Sequence, residues 1–142
     1  MLIGRCGRLL LVERVYDVLW PWGLPGGIIE AEESPLGACL REIREELGID
    51  PVIERLAAID WVPPRPPKTA GNVYLFTGHL PARARIRLDP VELSAWAWFT
   101  PVEIPRLLPP HTVRRVSAAL SAHSDQRTVY LEDGYQPLPG RP

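Results

Sequence analysis

Between Ser34 and Gly48 the chain writes one helix with both ends marked, and the rest of the sequence must be arranged around it. Ser34 is a side chain suited to accept from the first free N–H groups of a helix, and Pro35 at the first helical position gives up no N–H that is needed. Leu36, Leu40, Ile43 and Leu47 recur at helical spacing with Cys39 beside them, and Gly48 supplies the stop. The same helix carries Glu42, Glu45 and Glu46, related as i, i+3 and i+4, which puts the three acids on one face. One side of the helix is expected in a core, and the adjoining side presents carboxylates.

Like charges at this spacing cost about 0.2–0.5 kcal/mol per pair at an exposed surface, more where water is partly excluded. A divalent cation would remove that cost, and ligands that offer only oxygen suit hard ions such as Mg2+, with Mn2+ as the alternative. For any Glu-rich helix the competing reading is a solvated acidic face relieved by its own Arg41 and Arg44.

Around the helix the chain reads as strands. Arg8 to Val15, Val52 to Val62, Asn72 to Leu80 and Ala95 to Phe99 are rich in apolar and β-branched or aromatic residues. Ala82 to Leu88 alternates small or apolar residues with Arg83, Arg85 and Arg87, which predicts a strand with the arginines on one exposed edge face. Thr100-Pro101-Val102-Glu103 is a capping sequence for a short helix, and Val113, Val116 and Leu120 mark a second long one. Thr128 to Leu131 followed by Asp133-Gly134 predicts a short terminal hairpin over 127–138. Trp96 and Trp98, two apart on one strand, are expected in the core. Together these elements make a mixed sheet with two substantial helices, in one domain spanning residues 1–142.

Composition excludes several classes. With 142 residues, 46% hydrophobic and 23% charged, the chain is neither disordered nor a coiled coil. Its apolar runs are too short for a signal peptide or a membrane span. Cys6 and Cys39 make no metal or disulfide framework, so a reduced, cytoplasmic protein is expected, with Cys39 filling core space. The formal net charge of −1 provides no global field for a nucleic-acid polymer or an anionic membrane, so neither is expected as a partner. No Gly-Lys-Ser/Thr loop or Gly-x-Ser-x-Gly elbow is present.

The residues before the helix decide how its acids are read. The run is Gly27-x5-Glu33-x7-Arg41-Glu42-Ile43-x-Glu45-Glu46-x-Gly48-Ile49, led in by Leu24-Pro25-Gly26. Its fixed residues and apolar slots would recur by chance with a probability on the order of 10^-8 to 10^-7. At every defining position this resembles the Nudix hydrolase box.

The resemblance implies an α/β/α sandwich with a mixed sheet between helices, the box forming loop–helix–loop. It implies hydrolysis of a diphosphate bond in a nucleoside diphosphate linked to another moiety, by water and a divalent metal. On the same grounds Glu45 and Glu46 are metal ligands, Glu42 is a ligand or the general base, and the Gly26 carbonyl is a further ligand. Arg41 would hold the glutamates, and Glu92, just before the Ala95 strand, is the candidate for a catalytic acid on a later loop. Trp22, Arg65 and Lys68 are the candidates for contact with a small nucleotide-type substrate. In the family a full strand usually precedes the segment that matches Gly7 to Leu10, so either the first strand is stunted here or a second subunit, in a homodimer, completes an edge. The competing function is a Nudix-scaffold protein that binds ligand without catalysis.

Overall fold

A computed structural model describes residues 1–67 and 69–137. In chain order the regular elements are β1 (Leu9–Arg14), β2 (Trp22–Gly23), α1 (Pro35–Leu47), β3 (Val52–Val62), β4 (Gly71–His79), β5 (Leu93–Phe99), α2 (Pro110–Ser124) and β6 (Val129–Glu132). The class is mixed α/β, with the strands in two sheets of order β2-β1-β5 and β4-β3-β6. The chain divides into two compact units, Met1–Glu54 with Phe76–Leu108, and Arg55–Leu75 with the chain from Pro109 onward.

In the first unit, β1 lies between two antiparallel neighbours, Leu10 opposite Trp98 and Val12 opposite both Trp96 and Gly23. Leu9 to Val12 is an unbroken apolar run because this strand is covered on both faces, and all four residues are fully buried. Leu10 and Val12 join Leu2, Leu93, Ile43, Leu47 and Ile49 in one cluster, which seats α1 against the sheet. The helix ends are as expected: Ser34 Oγ accepts from the Gly37 N–H at 3.0 Å, and Gly48 closes the helix at φ 64°. Leu36 departs from the expected stripe. It is exposed, because the cluster begins a turn later at Cys39, and Ala38 is buried instead.

Residues 82–88 are not a strand. Ala84, Ile86 and Leu88 do pack on the cluster, and Arg83, Arg85 and Arg87 do face outward. The backbone, however, bonds to the end of α1: the Arg87 N–H donates to the Leu47 carbonyl at 2.8 Å and the Asp89 N–H to Glu46 at 3.2 Å. Alternation there records two faces of a segment that begins in a turn at 82–83 and makes no strand pairing. Trp96 and Trp98 share a face of β5 as expected, and Trp98 packs on the cluster that seats α1. Its ring lies over Gly4, where a Cβ would come within 2.8 Å, whereas Trp96 is 40% exposed.

In the second unit, β6 runs parallel to β3, from Ala58 opposite Val129 to Trp61 opposite Glu132. Of the expected hairpin over 127–138, the structure shows the turn and its first antiparallel bridge. The Asp133–Gly134 turn forms with both φ values positive, 52° and 81°, but the returning arm is a single bridge from Tyr135 to Glu132. Strand β6 finds its partner in β3, and residue 138 lies outside the described residues.

Candidate active site

The site lies in the first unit, on α1 and the loop that feeds it. Arg41 is its hub. Its Nε and Nη2 donate to the two oxygens of Glu33, each at 3.1 Å, a bidentate fork that adds geometric specificity to charge. Its Nη1 donates to Glu42 Oε1 at 2.9 Å and to Glu45 Oε2 at 3.0 Å, and Nη2 also reaches the Ile28 carbonyl at 3.0 Å. The guanidinium thus ties the loop to the helix while holding two of the three helix acids. It also keeps the Glu33 carboxyl below its ordinary pKa, and the carboxylates in turn push the Arg41 pKa upward.

Glu46 is treated differently. It is 4% exposed, and its Oε2 accepts from the Gly26 N–H at 2.8 Å. Burial raises its pKa to about 7, opposed by the Gly26 hydrogen bond and by Arg14, and assisted by the charges of Glu42 and Glu92. Glycines make this approach of backbone and carboxylate feasible. Gly26 has φ 131°, which favours glycine, and a Cβ on Gly27 would come within 2.5 Å of the Glu42 carboxyl.

Glu92 is exposed, and its segment is tied to the same neighbourhood. Its carbonyl accepts from the Val15 N–H at 2.9 Å, and its charge reaches Glu46. Trp22 is half-buried on β2 with its ring edge-on to Phe99 at 4.9 Å. Arg65 belongs to the second unit, where Asp133 holds it at 2.6 Å, and Lys68 lies outside the described residues.

Arg14 is a residue of this neighbourhood that sequence reasoning missed. Its Nη2 donates to the Leu24 carbonyl at 3.1 Å, and its guanidinium occupies the space where a Cβ of Gly23 would be. The only trace in the sequence is an arginine ending one apolar strand and a glycine in the next. Their meeting depends on register.

The three helix acids share a property. Glu42 and Glu45 each give one oxygen to Arg41, Glu46 gives one to Gly26, and the second oxygen of each has no hydrogen-bond partner among the described residues. No group of three acidic, histidine or cysteine side chains is gathered into ready metal geometry among the described residues. The donor set nonetheless fits a hard cation: unclaimed carboxylate oxygens beside a glycine backbone with no Cβ in the way.

Comparison with known proteins identifies the family. The NUDIX domain family matches residues 1–120. The chain belongs to the Nudix hydrolase family. It is 31% identical to the CTP pyrophosphohydrolase of Escherichia coli strain K12, over 72% of this chain and 73% of that one. It is 35% identical to an RNA pyrophosphohydrolase of Gluconacetobacter diazotrophicus over 61% of this chain, and spans 59% of that relative's length. Among solved structures, a MutT Nudix hydrolase from Burkholderia pseudomallei is 30% identical with a TM-score of 0.62, over 85% of this Nudix chain and 92% of the other. In this Nudix protein no described helix is long and apolar enough to cross a membrane.

Proposed function

We propose that residues 1–142 act as one Nudix domain that hydrolyses a diphosphate bond in a nucleoside diphosphate linked to another moiety. The observation that carries this reading is that Glu42, Glu45 and Glu46 each keep one oxygen unclaimed after Arg41 and Gly26 have taken the other. Those oxygens, with the Gly26 carbonyl, are the ligands we assign to Mg2+ or Mn2+. When bound, the ion neutralises diphosphate oxygens and lowers the pKa of the attacking water.

The remaining steps belong to the protein. Arg41 fixes the carboxylates so that little reorganisation is needed when charge develops on phosphorus. Glu42, whose carboxyl lies beside Gly27, serves as ligand or as acceptor of the water proton, and Glu92 is the alternative acceptor from its own loop. Water adds to phosphorus, the bridging P–O bond breaks, and the two phosphorylated products leave. Trp22, half-buried on β2, is the residue we assign to contact with a base. A cytosolic setting suits Cys6 and Cys39, both free thiols, and a second copy pairing beside the bridged Leu2 and Ile3 would give the homodimer.

The test is a product screen over nucleoside triphosphates, nucleotide sugars, ADP-ribose and dinucleoside polyphosphates, each with Mg2+, Mn2+ or EDTA. Turnover that EDTA abolishes is expected for at least one class. Ligand binding without product under every condition would assign the chain to the non-catalytic alternative.

A further inference from the structure

The first unit contains a recess that the carboxylate site does not use. It is an open cavity of about 600 Å³ beside the turn that leads into β1, within the roughly 300–1,000 Å³ of small-molecule sites. Arg14, which belongs to the carboxylate site, stands at the other end of β1, about 17 Å along the strand from Leu9. Ile3, Leu80 and Trp98 supply the apolar lining of the cavity, and Arg5, Arg8 and His79 the polar lining. Leu80 and Trp98 also pack on the core cluster, and the Trp98 ring lies against Gly4, so this wall is part of the folded interior.

The walls are held before any ligand arrives. The Ile3 N–H donates to the Gly78 carbonyl and the Gly4 N–H to the Arg8 carbonyl, each at 2.8 Å, which fixes the turn between Arg5 and Arg8. His79 Nδ1 is tied to Glu54 at 2.9 Å. Arg5 and Arg8 are exposed, and neither guanidinium makes a hydrogen bond or ion pair among the described residues. Elsewhere Arg41, Arg44, Arg65, Arg114, Arg115 and Arg127 each meet an acid. The acid whose charge reaches Arg8 is Glu103, and its Oε2 already accepts from the Thr100 N–H and hydroxyl, each at 2.7 Å. Among the described residues no acid or amide side chain lines the cavity. Charge there favours an anion and the apolar wall favours a ring, with no side-chain amide or carboxylate to read a base edge or a ribose.

We propose that this cavity binds a small, flat aromatic acid that is not a nucleotide. Its ring lies against Trp98 with Ile3 and Leu80 beside it, and its single carboxylate or sulfonate meets Arg5 and Arg8. An aromatic ring on tryptophan contributes through both area and ring geometry, and a guanidinium gives the acid a charge-assisted hydrogen bond. The ligand needs neither metal nor the glutamates of α1, so the proposal does not rest on the hydrolase reading.

The experiment titrates the full chain, in EDTA, with 1-anilinonaphthalene-8-sulfonate, an aromatic anion whose emission rises in an apolar site. Wild type should saturate at one dye per chain. The R5E/R8E variant should bind at least about tenfold more weakly, the scale of losing a hydrogen bond to a charged group, at an unchanged melting temperature because both positions are exposed. The uncharged counterpart, N-phenyl-1-naphthylamine, should bind both proteins alike. Cys6 also lines the cavity and is exposed, which gives a second readout that needs no variant. Its alkylation by N-ethylmaleimide, followed by mass spectrometry, should slow severalfold at saturating dye. Naphthalene-2-carboxylate should displace the dye, and AMP should not. Equal dye binding by wild type and R5E/R8E overturns the site, as does alkylation of Cys6 at full rate under saturating dye. Dye that naphthalene-2-carboxylate fails to displace overturns it too. Displacement by AMP as effective as by the carboxylate overturns the assignment to a non-nucleotide acid.

Discussion

Two arginine–carboxylate centres, one in each unit, use the same chemistry to opposite ends. In the second unit Asp60 is fully buried, its Oδ2 accepting from Arg115 Nε and its Oδ1 from the Gly134 N–H at 2.9 Å. Both oxygens are satisfied and Arg115 is itself buried, so the centre is closed. In the first unit Arg41 spreads its donors over Glu33, Glu42 and Glu45, and the helix acids keep oxygens to spare. A closed pair holds the backbone together, whereas an open one is poised to take a ligand. The difference comes from the number of acids each arginine must serve and from the water left around them.

The largest expected effect lies on the closed side. Asp60→Ala leaves the Arg115 charge buried without a partner and the Gly134 N–H without an acceptor. Breaking a buried pair from one side costs about 3–5 kcal/mol, which chemical denaturation would register as a much lower midpoint. A loss below about 1 kcal/mol would show that water enters this centre and that it is not closed.

Glu45→Gln should behave in the reverse manner. Its side chain is 59% exposed, so stability should change by no more than about 0.5 kcal/mol. Metal-dependent turnover should fall about a hundredfold, the scale of losing one charged group aimed at the developing charge. If Glu45→Gln unfolds the chain, or Asp60→Ala leaves it folded and specifically inactive, the contrast between the centres collapses.

The open centre was far more legible in the sequence than the closed one. Ser34, Pro35 and Gly48 mark the helix locally, and Gly27, Glu33 and Arg41 lie within one turn-and-helix stretch, so linear spacing carries the information. Asp60 and Arg115 are separated by 55 positions and meet only through tertiary packing. Arg14 and Gly23 depend in the same way on the register of β1 against β2. The segment at 82–88 illustrates the converse. Its period of two correctly reported which side chains face the core, but periodicity says nothing of where the backbone N–H groups go, and these went to α1.

Glu46 sharpens the comparison through pH. Its pKa of about 7 in the metal-free protein lies above the ordinary carboxylate value of 4.5, with burial as the main cause. Between those values the folded chain holds a proton that the unfolded chain has released. Stability contributed by Glu46 is therefore full below about pH 4.5, declines as pH rises toward 7, and is flat above it. Melting curves in EDTA should show this decline for wild type, and Glu46→Gln should lack it. Mg2+ competes with the proton, so its stabilising shift should grow across the same window. A wild-type profile identical to that of Glu46→Gln would mean the carboxylate is solvated, and the site more open than Arg41 alone makes it.

The smallest effect concerns the loop that Arg41 ties down. Glu32 has φ 65°, a left-handed backbone that costs an L-residue roughly 1–2 kcal/mol and glycine almost nothing. Its side chain is exposed and makes no hydrogen bond or ion pair among the described residues, so nothing local compensates the strain. Glu32→Gly regains that energy but gives the unfolded chain more freedom, leaving a net gain of about 0.5 kcal/mol. For a chain of this size the melting temperature should rise by roughly 2 °C. Turnover separates two meanings of the strain. If it is unchanged, Arg41 with its bonds to Ile28 and Glu33 suffices to hold the loop. If it falls while stability rises, the strained residue takes part in positioning the open centre, as strain at functional sites commonly does.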